Sequence, residues 1–238
     1  KQPPKGHELL DREFLLATSI NERTCGELAS ALAGVTRGQV ILEQGERRGL
    51  FLQRVDDAPG WYRYHQMFAE FLRGRLTHDR PDHLEQLHRI ASAWFADHGY
   101  LNEAVDHALA YDPIRAVDLV EQDETNLLEQ SKMTTLLGIV QKLPPQIVAS
   151  RARLQLTIAW ANLLLQRQGP MQAAVNRFEA SMTNADLEET TRADLKAEAD
   201  VLQAVAETHA DHTENVETLV AEAMSRPDTL HPQVPGVA

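Results

Sequence analysis

Cysteine is almost absent: Cys25 stands alone in 238 residues, which excludes an intramolecular disulfide framework and fits a reducing cytoplasm. Its place ahead of the apolar Leu28, Ala29 and Leu32 reads as a small packed residue in preference to a reactive thiol. Long apolar runs are missing as well. The stretch Ile158 to Leu165 stops well short of the roughly 20 residues that a bilayer crossing needs, so no membrane partner is expected. Catalytic signatures are equally scarce. Gly34-Val35-Thr36-Arg37-Gly38-Gln39 lacks the GK[ST] ending of a phosphate loop, and no G-x-G-x-x-G, G-x-S-x-G or H-E-x-x-H occurs. The 35 acidic residues contain no pair that spacing singles out for acid and base work. The chain by itself is therefore expected to be no enzyme.

Positive charge is short in one part only. Residues 1–82 carry 12 Lys and Arg against 12 Asp and Glu, whereas residues 83–238 carry 11 against 23, the whole of the net charge of −12. The second part lacks the electrostatic attraction on which nucleic-acid affinity rests, and a protein or small-molecule partner fits it better. The chain opens Lys1-Gln2-Pro3-Pro4-Lys5 without Met or a signal core and ends without a stop feature, so we expect an internal piece of a longer protein. A composition of 43% hydrophobic and 24% charged residues is that of a globular protein. Its length favours two units over one.

The first unit is expected over residues 1–82. Leu9, Leu10, Phe14, Leu15 and Ile20 fit one face of a helix starting near His7 or Glu8. Thr24 with Glu27 reads as a capping box for a second helix, which Gly34 ends, and Thr36 starts a third that runs to Gly49. Leu50 to Val55 and Trp61 to Tyr64, joined by Asp56-Asp57-Ala58-Pro59-Gly60, read as a β-hairpin. Three helices and a hairpin make a winged helix. A fourth helix follows, with Met67, Phe68, Phe71, Leu72 and Leu76 as its apolar stripe.

Residues 83–238 read as paired amphipathic helices. The pairs are Leu84 to His98 with Asn102 to Ala110, Ile114 to Leu143, Ser150 to Met182, and Leu187 to Ser225. Breaks fall at Gly99, Leu143-Pro144-Pro145, Gly169-Pro170 and Arg226-Pro227. Their spacing of roughly 35–45 residues is that of helical repeats. Ala91, Phe95, Ala104, Ala108 and Pro113 suit the small-residue and terminal-proline places of a tetratricopeptide unit. The fold class is accordingly mainly α: a winged-helix module with a small β-hairpin, followed by an α-solenoid of tetratricopeptide-like hairpins.

Two site candidates come from the residues themselves. Arg37, Arg47 and Arg48 with Arg54 and Arg63 of the wing form a possible DNA-reading surface, but Glu43, Glu46, Asp56 and Asp57 interleave and neutralise it. His65 stands at a strand-to-helix junction, where it either caps and packs or donates a hydrogen bond to a phosphate at the helix N-terminus. The remaining histidines carry less. His83, His88, His98 and His107 read as exposed or capping, and His209 with Asp211 and His212 as a solvated turn with zinc as the minor alternative, so no metal is assigned.

The run Trp61 to Arg73, preceded by Phe14-Leu-Leu-Ala-Thr-Ser19 and Leu50-Phe-Leu52, resembles the large ATP-binding LuxR-type transcriptional regulators, the group of the maltose-regulon activator. Ala93-Trp94-Phe95, His98-Gly99-Tyr100 and Glu103 to Leu109 follow the same pattern. Such proteins are signal-transducing ATPases built as nucleotide-binding domain, winged helix, helical-repeat sensor and DNA-binding helix-turn-helix. The resemblance implies that this chain holds the middle two. It implies cytoplasmic location, no cofactor of the chain's own but ATP or ADP in the parent protein, and DNA contact through a domain outside these residues. It also implies a small-molecule inducer or regulatory protein on the repeats and a possible oligomer in the active parent. Tyr64-His65-Gln66-Met67-Phe68 resembles the motif whose histidine contacts bound ADP, which makes His65 the candidate nucleotide contact; Gln66 and Met67 depart from the Asp-Leu of that motif. A free-standing helical-repeat interaction scaffold is the alternative.

Overall fold

The computed structural model describes residues 12–55, 58–129, 132–184 and 188–209. The chain divides into two compact units, Lys1–Asp112 and Pro113–Ala238. The described residues are mainly α-helical, with one small sheet.

In the first unit, α1 (Arg12–Thr18), α2 (Gly26–Ala33) and α3 (Gly38–Arg47) precede the wing. Each helix buries one face: Phe14, Leu16 and Ala17 from α1, Leu28, Ala29 and Leu32 from α2, Ile41 and Leu42 from α3. Gly34 ends α2 in the left-handed conformation, φ +65°, with its N–H donating to the Ser30 carbonyl. The expected capping box at Thr24 does not form. Thr24 and Cys25 are instead a short strand, β1, which pairs antiparallel with β3 (Trp61–Tyr64), while β2 (Leu52–Arg54) pairs with the other edge of β3. The order β1-β3-β2 gives a three-stranded wing sheet in place of a bare hairpin. Cys25 is the N-cap of α2 and makes no side-chain cap bond.

Strand β3 is aromatic because one face is covered at Tyr62 and Tyr64 and the other at Trp61, while Arg63 is exposed. The Tyr64 hydroxyl lies 2.7 Å from Thr18 Oγ1, which itself donates to the Phe14 carbonyl, so the sheet is tied to α1. Burial pushes the Tyr64 phenol up to about 12.

Two longer helices, α4 (Gln66–Asp79) and α5 (Pro81–Asp97), are separated by Arg80 alone, and α6 (Leu101–Leu109) returns along α5. Gly99, φ +76°, makes that tight reversal. Ala91, Ala104 and Ala108 are fully buried, which lets α5 and α6 approach closely, and Ser92 Oγ donates 2.8 Å to the Ala104 carbonyl. The change of sequence character after residue 82 and the edge of the compact unit therefore differ. The α5–α6 hairpin stays with the winged helix because Trp61 of β3 packs on Trp94, Phe95 and Tyr100, and Arg23 bridges to Glu103 at 2.8 Å.

The second unit contains α7 (Pro113–Glu129), α8 (Met133–Val140), α9 (Pro145–Ser150), α10 (Ala152–Leu164), α11 (Gln168–Asn184) and α12 (Glu189–His209). Helix α10 is its centre, buried from Leu154 through Leu163. The two prolines after Leu143 open the extra helix α9, since a proline at the first helical position forfeits no intrahelical bond. The same reason moves the expected break at Gly169-Pro170. Those residues form the first turn of α11, and the chain reverses earlier at Gln166, φ +56°. No helix among the described residues is long and apolar enough to cross a membrane.

Candidate functional site

Outward orientation of His65 follows from its neighbours. Its backbone N–H donates 2.7 Å to the Phe51 carbonyl, continuing the β2–β3 ladder, and its carbonyl accepts from Phe68 and Ala69 at 3.0 Å, opening α4. Tyr64 points into the core, and His65, the N-cap residue of α4, is exposed with no side-chain cap bond. The imidazole is thus presented at a helix N-terminus, where unpaired N–H groups and the helix dipole favour an anion.

Around it lies an apolar surface. Phe51, Met67 and Phe71 are 61%, 74% and 60% exposed. Phe68 joins them, its ring centroid 5.3 Å from Phe51 and 6.5 Å from Phe71. The single stripe expected on α4 is in fact two faces: Ala69, Leu72 and Leu76 turn into the core, while Met67 and Phe71, one turn apart, turn outward. Phe51 sits at φ +52°, a conformation costing of order 1 kcal/mol for a bulky residue, which the pairing of its carbonyl with His65 holds in place.

The basic surface of α3 and the wing is partly cancelled. Arg54 Nε lies 2.9 and 2.8 Å from the two carboxylate oxygens of Glu46, and Arg47 is within 3.9 Å of Glu43. Arg37, Arg48 and Arg63 are exposed. Arg73 of α4 reaches across to the carbonyls of Ser19 at 2.7 Å and Asn21 at 3.2 Å and fixes the loop before β1.

The histidines of α5 and α6 depart most from expectation. His107 is buried and meets His88 with the two Nδ1 atoms 2.9 Å apart. Burial pushes the His107 imidazole down to about 4, with the nearby His88 and Arg73 charges adding to it, and burial lowers His88 as well. The signal was local: His107 lies between Ala104 and Ala108 on the apolar face of α6. His98 stacks on Trp94 at 3.8 Å. The His209, Asp211 and His212 candidate lies outside the residues whose side chains are described, and among the described residues no cluster of three metal-binding side chains occurs.

In the second unit an open groove of about 980 Å³ lies between the α10–α11 turn and α12. Gln166, Arg167, Gln172, Gln203 and Glu207 line it over Leu163 and Met171. The lining mixes donors, acceptors and apolar contact, and carries no catalytic pairing.

Residues 8–84 match the MalT winged helix domain, which is no catalytic domain. Over 228 residues the chain is 67% identical to the serine/threonine-protein kinase PknK of Mycobacterium tuberculosis, covering 95% of this chain and 20% of that one. It is 32% identical over 214 residues to the HTH-type transcriptional regulator MalT of Serratia proteamaculans, covering 90% of this chain and 24% of the regulator. The MalT of Yersinia enterocolitica is 31% identical over the same length. The chain spans about a fifth to a quarter of the length of these curated relatives. Residues 8–84 are thus similar to the winged helix of MalT, and the likeness to MalT continues well past them.

Proposed function

We propose that this chain is a regulatory middle segment of a multidomain, ATP-dependent bacterial signalling protein. Its winged helix docks through Phe51, Met67, Phe68 and Phe71 on a nucleotide-binding domain, and His65 at the start of α4 contacts the phosphates of bound ADP or ATP. The observation that carries this reading is an exposed histidine at the N-terminus of α4, bonded in the strand ladder to the largely exposed Phe51 and two residues before the largely exposed Met67, with the exposed Phe71 one turn further along the helix. A surface of that kind marks a covered interface in the working protein.

The helices of the second unit, read as tetratricopeptide-like repeats, take a small-molecule inducer or a regulatory protein, and the groove at Gln166 to Gln172 is the first place to look. Inducer and nucleotide then bias one two-state assembly through unequal affinity for its closed and open forms. Output is promoter binding through a helix-turn-helix outside these residues, as the likeness to MalT suggests. The 67% likeness to PknK supports a second output, phosphorylation by a kinase domain under the same switch. Either protein works in the cytoplasm, and the activated form self-assembles. Direct DNA reading by α3 and the wing is disfavoured by the Glu46–Arg54 pairing.

The test is nucleotide release from the full-length parent. A hydrogen bond to a charged phosphate contributes about 1.5–3 kcal/mol, so His65→Ala is expected to speed ADP dissociation roughly 10–100-fold. Phe71→Ser should do the same without touching nucleotide. The chain of 238 residues by itself should bind no ADP. Unchanged ADP release in both variants would sink the reading.

A further inference from the structure

We propose that Arg63 is a second phosphate contact, set beside His65 on one face of the wing sheet, so that a guanidinium and an imidazole together hold the diphosphate of a bound nucleotide. Arg63 takes this role only if the nucleotide reading of His65 holds. Side chains two apart in a strand share a face and stand about 7 Å apart. His65 keeps that alternation past the end of β3. Its backbone is extended, φ −57° and ψ 136°, and its N–H closes a further rung of the β2–β3 ladder on the Phe51 carbonyl. Arg63 and His65 therefore face the same side, and both are exposed.

The same alternation separates the two arginines of the wing. Arg54 is the register partner of Tyr62, which neighbours Arg63 and lies on the opposite face. There it stands 5.8 Å from the Tyr62 ring centroid and is tied to both carboxylate oxygens of Glu46 on α3. Its charge is satisfied within the fold. Arg63 is paired in register with Gln53, which brings no charge, and its side chain has no ion pair or hydrogen bond among the described residues. Neither β2 nor β3 carries a carboxylate, and Glu70 on α4 is bonded by Gln66 at 3.1 Å. The planar fork of a guanidinium matches two oxygens of one phosphate, and an imidazole adds one directional N–H. Donors so placed fit a diphosphate, which presents oxygens on two neighbouring phosphorus atoms. A DNA backbone offers similar oxygens, but the carboxylates of α3 cancel Arg47 and Arg54 and leave that partner fewer cations.

Release of a fluorescent ADP analogue from the full-length parent, chased with unlabelled ADP, tests the assignment. Arg63→Ala should release it about tenfold faster, equivalent to about 1.4 kcal/mol. Arg63→Lys should recover part of the difference, because it keeps the charge and loses the fork. The unfolding temperature of both variants should stay where it is, since the Arg63 side chain has no partner among the described residues to lose. Unchanged release from Arg63→Ala beside fast release from His65→Ala would overturn the role of Arg63 and leave that of His65 standing. Unchanged release from both would overturn the two together. The role of Arg63 also fails if lysine does no better than alanine, or if the unfolding temperature falls with the faster release. It fails equally if Arg63→Ala keeps its ADP release and instead weakens low-salt binding to duplex DNA, the mark of a nucleic-acid contact.

Discussion

Replacing Glu198 with alanine is expected to cost the second unit about 3 kcal/mol, read as a lower denaturant midpoint at unchanged slope. Glu198 lies on α12 and is 2% exposed. Its Oε2 accepts from Arg153 Nη1 at 2.6 Å and its Oε1 from Trp160 Nε1 at 3.1 Å, both on α10. Breaking a fully buried ion pair costs about 3–5 kcal/mol. Arg153 is 36% exposed and can turn its charge to water, which reduces that figure. Trp160 is 1% exposed and has no such escape, so its indole N–H loses its acceptor inside the core. Glu198→Gln keeps an acceptor for Trp160 and should cost only about 1 kcal/mol. Equal losses in the two variants would mean that the ion pair, and not the indole bond, dominates. A loss under about 1 kcal/mol for Glu198→Ala would contradict the role given to both.

The second large effect is steric and reverses the sign that helix propensity alone gives. Gly38 opens α3 where it crosses α2 at Gly26. A Cβ at position 38 would stand 2.3 Å from the Gly26 carbonyl oxygen and 2.8 Å from the Ser30 backbone nitrogen. Those are backbone atoms that cannot rotate aside. The crossing is also bonded: Ser30 Oγ accepts from Gly38 N–H at 3.0 Å and donates to the Gly26 carbonyl at 2.7 Å. Alanine is favoured over glycine in a helix by about 1 kcal/mol, yet Gly38→Ala is expected to destabilise by about 2–3 kcal/mol because α2 and α3 must separate. Gly74 on α4 is the control. A Cβ there meets nothing within 4 Å, so Gly74→Ala should stabilise by about 0.5–1 kcal/mol. Urea unfolding of the two variants side by side checks the prediction, and a stabilised Gly38→Ala would refute the close crossing.

Local patterning determined a good deal of this molecule. The spacing of Leu28, Ala29 and Leu32, or of Ala91, Phe95, Ala104 and Ala108, specifies helices with one apolar face, because residues three and four apart share a side. Gly34 and Gly99 mark reversals, because a positive φ is cheap only without a side chain. The turn residues between Val55 and Trp61 indicate a hairpin, and with it the winged helix. The outward place of His65 was half legible, since a residue at a strand-to-helix junction is offered to solvent or to a partner.

Tertiary contacts decided the rest. Periodicity says that Met67, Phe71, Leu72 and Leu76 recur on α4, but only the position of α1 and α5 determines that the last two are covered and the first two are not. Thr24 has the composition of a cap and became a strand because Tyr62 offers it a ladder partner 38 positions later. His88 with His107, and Glu198 with Arg153 and Trp160, are polar groups whose burial depends on a partner from another helix. Without that partner the burial would be too costly, and with it the same residue belongs to the core. A single chain segment carries its own periodicity but not the identity of the neighbour that satisfies its polar atoms.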